Sequence, residues 1–192
     1  MSFFDETKNA GILLLIIALL GIVFAIITVF AFDGYKDAEM WKKIVWIIGA
    51  VLGSAVYIIL GLGIMNGNCM VQIGNLFSDL TSKFGVLVAL TAGFGVAEIV
   101  NSLFAVIAGF DVASQVGSII VGVLFIVMAW LLVDGQEDAR KVVWIILLIL
   151  YIIMLIFSIL ACLVLIGIPM LLLAIFLLVF LFSPEVKQKC GM

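Results

Sequence analysis

The sequence predicts an all-α, polytopic membrane protein. It has six transmembrane helices in one domain over residues 1–192, a short amphipathic interface helix after the second, and an inverted 3+3 repeat. Three observations carry this. First, 67% of the residues are hydrophobic and 11% are charged, whereas a soluble domain is about 45–50% apolar and about 25% charged. Second, the mean hydropathy is +1.49. Third, uncharged runs recur at the length a helix needs to cross about 30 Å of hydrocarbon, roughly 20 residues.

The first run, Ala10–Phe32, is too long for a signal-peptide core of about 7–15 residues, and its leader MSFFDETKN is more acidic than basic. It is expected to be a retained span, closed by Asp33-Gly34. Span 2 is Ile44–Met65, entered from Lys42-Lys43 and left through Asn66-Gly67-Asn68. Beyond it Met70, Ile73, Phe77, Leu80 and Phe84 follow at steps of three and four, one face of a helix. That pattern fits an amphipathic helix in the interface plane, or else the first turns of a long, bent span 3. Span 3 is Phe84–Phe110, and span 4 is Val112–Val133.

From Val142 to Phe182 no charge occurs. A single helix that long would reach about 60 Å, twice the hydrocarbon thickness. Two spans fit, Val142–Leu165 and Ile168–Phe182, broken at Gly167 and Pro169 or earlier, near Ser158–Cys162. With the N-terminus inside, Lys8, Lys83, Arg140, Lys141, Lys187 and Lys189 lie on the cytoplasmic side, and Lys36, Lys42 and Lys43 lie outside. The expectation is a multi-pass protein of the cell membrane with both termini cytoplasmic.

Two loops share a spelling. Asp33-Gly34-x-x-Asp37-Ala38 leads to Val45-Trp46-Ile47-Ile48, and Asp134-Gly135-x-x-Asp138-Ala139 leads to Val143-Trp144-Ile145-Ile146. The same alignment sets Gly21 on Gly122 and Phe24 on Phe125, and with gaps it sets CMVQIG at Cys69 on CLVLIG at Cys162. Convergence explains part of this, because aromatic and basic residues gather at membrane edges. A duplication explains more. Matching elements are three spans apart, so halves 10–110 and 112–182 would have inverted topology, as in many secondary transporters.

Several function classes are excluded. There is no His, the commonest general base and metal ligand. Three scattered Cys form no disulfide framework or zinc spacing. A net charge of −3 offers nothing to nucleic acid. Asp134-Gly135 with Ala139-Arg140 resembles the opening of the CDP-alcohol phosphotransferase signature. It departs by one extra residue, and no acid follows Asp138 until Glu185, so the carboxylates for a divalent-metal site are missing. No catalytic residue, metal or cofactor is expected, and the protein is not expected to be an enzyme.

Glu98 is the most informative residue. It lies inside span 3, where a charge at the bilayer centre costs about 2.5–3.5 kcal/mol on insertion scales. Asn101 and Ser102 at i+3 and i+4, and Thr91 at i−7, share its helix face. Ser54, Tyr57, Gln115, Ser118, Tyr151 and Ser158 are candidates to converge on it from other spans. The set Glu98, Asn101, Ser102 and Thr91 is expected to bind a proton or cation in a transporter or channel. A neutral Glu98 hydrogen-bonded within a non-catalytic scaffold subunit is the alternative. Small residues at four-residue spacing, Gly49 with Gly53, Ala89 with Gly93, and Ala105 with Gly109, are expected to let helices approach closely. The partner surface is either internal or that of a homo-oligomer or another membrane protein. Spans 5 and 6 carry so few polar groups that a lipid-like ligand suits them better than a polar solute.

Overall fold

The computed structural model describes residues 6–68, 75–161 and 167–192. These residues are all-helical, with no strand among them. The order is α1 (Thr7–Ala31), α2 (Met40–Asn66), α3 (Lys83–Ala108), α4 (Val112–Asp134), α5 (Glu137–Ala161), α6 (Gly167–Leu181) and α7 (Pro184–Lys189). The first five are long and apolar enough to cross a membrane; α6 has 15 residues. Their outward faces are apolar, for example Ile12, Ile16 and Leu19 on α1 and Ile120, Leu124 and Trp130 on α4. Such surface is stable only against lipid or a partner.

Helix ends follow local chemistry. Gly67 and Gly109 end α2 and α3 in the left-handed conformation, with φ of 71° and 77°. In each case the following residue's N–H reaches back five positions, Asn68 to Gly63 O and Phe110 to Ala105 O, both at 3.0 Å. Asp111 then takes φ 34° and turns the chain into α4, a conformation Asp tolerates better than most residues. Pro169 falls in the first turn of α6, where its missing N–H costs nothing.

The expected interface helix is not found in its described part. Residues 75–82 form turns and bends, and the remainder, with Met70, Ile73 and both cysteine-containing stretches of the repeat, lies outside the described residues. The cause is side-chain competition with the helix ladder. Asp79 accepts from the N–H of Thr81 and of Ser82, each at 3.2 Å, and from both hydroxyls. Ser82 then caps α3, its Oγ accepting from Gly85 N at 3.0 Å.

α3 is the axis. Of its most apolar 18-residue window 61% lies inside the bundle, against 22% to 39% for the other four long helices. Glycines set the approaches. A Cβ at Gly95 would stand 2.4 Å from Gly122 O, and one at Gly122 would stand 2.7 Å from Gly95 O, so α3 and α4 touch backbone to backbone. Gly11 and Gly61 make the same reciprocal contact between α1 and α2, at 2.7 and 2.8 Å.

At one end, α7 seals the bundle. Glu185 accepts from the N–H of Lys83 at 3.3 Å, at the positive end of the α3 dipole. Arg140 donates to Val133 O, Gly135 O and Lys189 O, tying α4, α5 and α7 together. Trp144, near the start of α5, donates to Leu181 O at the end of α6 at 3.0 Å. Met170, at the start of α6, shares a cavity with Met154 of α5, so the two helices run antiparallel.

The shared loop spelling does not give shared structure. Eight residues, 32–39, join α1 to α2, and two, 135–136, join α4 to α5. α1 and α2 pack closely, whereas α4 and α5 leave an apolar crevice of about 660 Å³ between them.

Candidate functional site

Glu98 lies ten residues before the end of α3. At a rise of about 1.5 Å per residue it is about 15 Å from that end, half the hydrocarbon thickness of about 30 Å. The side chain is half-buried and borders two cavities.

The first cavity, about 400 Å³, lies among α1, α2, α3 and α4. α3 contributes Glu98, Asn101 and Ser102; α2 contributes Trp46, Ser54 and Tyr57; α4 contributes Gln115 and Ser118; α1 contributes Gly21, Phe24 and Thr28. Tyr57 and Glu98 line this cavity together. Two buried polar atoms bordering this cavity have no hydrogen-bond partner, Asn101 Oδ1 and Trp46 Nε1. A buried acceptor or donor left alone costs about 1–3 kcal/mol, and Asn101 Oδ1 is packed against Gly53 of α2. Tyr35 from the α1–α2 connection and Phe110 from the α3–α4 connection form a ring cluster with Trp46, with centroids 4.8 to 5.6 Å apart.

The second cavity, about 460 Å³, lies on the other side of Glu98. It shares Ile17, Tyr57 and Glu98 with the first and adds Phe94, Phe125, Tyr151 and Met170. Among the described residues lining these two cavities, Glu98 is the only Asp, Glu, Lys or Arg.

Comparison with known protein families, curated proteins and solved structures gives no match to this chain. Its chemistry therefore has to be read from its own residues.

The structure groups Glu98, Asn101 and Ser102 with Ser54, Tyr57, Gln115 and Ser118. It sends Thr91 elsewhere. The Thr91 hydroxyl donates to Leu87 O at 2.7 Å and lies 3.0 Å from the Tyr151 hydroxyl, joining α3 to α5. Ser158 bonds back to Met154 O and borders neither cavity. Gly49 faces Phe104, Gly53 faces Asn101 and Gly93 faces Leu60, all between α2 and α3. Ala105 is fully buried. Gly109 has open space around its α-carbon and serves as a helix cap, because its left-handed backbone ends α3 before any neighbour is reached.

Sequence reasoning missed the α1 wall. Gly21 and Thr28 are the only signals there, in a helix that is otherwise apolar all round, so periodicity could not show which side faces inward.

Proposed function

We propose that this protein is a small membrane transporter or channel in which Glu98 binds a proton or a cation. The observation that carries the reading is the polar cavity inside a bundle of membrane-length helices, with the Glu98 carboxyl among its lining groups. An ionisable group at that depth is expensive and is found mainly on ion or proton pathways. Asn101 and Ser102 line the same cavity as the carboxyl, and Trp46, also at its wall, packs against Tyr35 and Phe110.

In this reading α6 makes a sixth crossing. Its antiparallel course against α5 supports that. The cell membrane is the proposed location, with both termini cytoplasmic, supported by the basic residues around α7. The loop spelling supports an ancient inverted duplication whose halves have since diverged in packing.

In proteoliposomes carrying a proton or sodium gradient, the native chain is expected to dissipate it. Glu98→Gln is expected to lose at least tenfold in rate, and Glu98→Asp to keep a measurable part. Equal rates for native and Glu98→Gln protein would end this reading. A second reading, a scaffold subunit holding a partner helix, is favoured by the crevice between α4 and α5. It predicts no flux and a membrane protein that co-purifies at fixed stoichiometry.

A further inference from the structure

We infer that the Glu98 cavity takes the protonated head of a long-chain primary amine, with its alkyl chain lying in the crevice between α4 and α5. This rests on the reading of Glu98 as a cation-binding group and names the class of cation.

The three voids adjoin in series. The crevice shares the wall residues Val121, Phe125 and Leu150 with the cavity beside Glu98, and that cavity shares Glu98 and Tyr57 with the polar one. The series leads from a cleft between two outward-facing helices to the half-buried Glu98 carboxyl. Its polarity changes along the way. The crevice end is lined by Leu124, Val142 and Ile146, and the far end by Asn101 and Ser102. An amphiphile matches that gradient, and an inorganic ion uses only one end of it. The crevice, about 660 Å³, is in the size range of sites that hold one small ligand.

The charge of the head follows from the walls. Glu98 is negative when ionised, and no Lys or Arg lines its two cavities among the described residues. An anionic head meets repulsion and a zwitterionic one leaves its negative group unpaired. Aromatic rings follow the route past Glu98: Tyr57 meets Phe94 at 5.7 Å between centroids, and Phe94 meets Phe125 at 6.4 Å. Their faces attract a cation. The Glu98 carboxylate accepts hydrogen bonds, so a head bearing N–H groups serves it and a quaternary ammonium does not. The competing anion is Asp138 at the other end of the crevice, which already lies 3.9 Å from Lys141 Nζ.

The test uses the full chain in nanodiscs of neutral lipid at pH 7, with radiolabelled amines and empty discs as the baseline. Saturable binding of dodecylamine is expected at one per chain, tightening by up to about fourfold per methylene from butylamine upward. Glu98→Gln is expected to weaken it at least tenfold, while Glu98→Asp and Asp138→Asn retain it. Leu150→Trp is expected to weaken dodecylamine and leave butylamine unchanged. Dodecanol and dodecyltrimethylammonium are expected to bind at least tenfold more weakly than dodecylamine. Equal binding to Glu98→Gln, no dependence on chain length, or equally tight dodecanol overturns the inference. If Glu98→Gln does not fold, the Leu150→Trp split and the native protein's preference for the amine over the alcohol decide. Glu98-dependent proton or sodium flux without amine binding overturns this inference and leaves transport standing. Amine bound at Glu98 without flux does the reverse.

Discussion

Buried polar side chains in this bundle divide into those that have found partners and those that have not. Thr91 and Tyr151 are almost wholly buried and satisfy each other while Thr91 also bonds its own helix. Tyr151→Phe removes only the shared bond, so a loss of about 0.5–1 kcal/mol is expected, near the average for such bonds in membrane proteins. Thr91→Val leaves the phenol hydroxyl alone and is expected to cost more, about 1–3 kcal/mol. Denaturant unfolding in micelles should rank the pair, and the opposite order would show that Tyr151 has another partner. Glu98, Asn101 and Trp46 line the polar cavity, whereas Thr91 lines neither cavity and Tyr151 only the second.

At the scale of elements, glycine decides which helices meet. Gly95→Ala pushes a methyl to within 2.4 Å of Gly122 O, a backbone atom that cannot swing aside. A loss of about 1–3 kcal/mol is expected from the overpacking. A methyl added at Gly117 on α4 would meet nothing within 4 Å, so Gly117→Ala should be neutral or stabilising by up to about 1 kcal/mol. Thermal unfolding of the two variants side by side checks this; similar losses would mean that helix contact is not the cause. The start of α3 gives a pH prediction. Partial burial tends to raise the Asp79 pKa, but hydrogen bonds from Ser82 and Thr81 outweigh it and hold the carboxyl below its usual value. Its stabilising contribution is full above the ordinary carboxylate range, about pH 4, and is lost as pH falls through the depressed value. The native chain should lose stability on acidification below about pH 4. Asp79→Ala should be weaker at neutral pH and less sensitive to acid. Parallel acid dependence in both proteins would remove Asp79 as the source.

For the whole molecule, the two ends differ. The α7 end is tied by Arg140, Glu185 and Trp144. The other end holds a cavity beneath a ring cluster. A pathway would have to open at the ring end or through the crevice between α4 and α5. If the basic α7 end is cytoplasmic, a membrane-impermeant maleimide should label Asp37→Cys in intact cells and leave Lys187→Cys unlabelled, both in a cysteine-free background. Labelling in the reverse sense would invert the proposed orientation.

Of the expected features, the break after the fifth span lies largely outside the described residues, while the helical class, five of the six spans with ends close to their apolar runs, and Glu98 as the acid inside α3 were legible in the sequence by itself. Run length is sufficient for that, since a backbone in lipid must satisfy its own hydrogen bonds and an uncharged stretch of about 20 residues has one way to do so. Only the tertiary structure decided which faces meet. Lipid is as apolar as a helix interface, so hydrophobicity does not distinguish inside from outside. Gly95 and Gly122 could not be paired from spacing, Thr91 could not be assigned to Tyr151 over Glu98, and the opening of α4 away from α5 leaves no mark in either helix. The turn at residues 75–82 was hidden for a related reason. Its apolar spacing is helical, and apolar periodicity does not register the local bonds by which Asp79 overrides it.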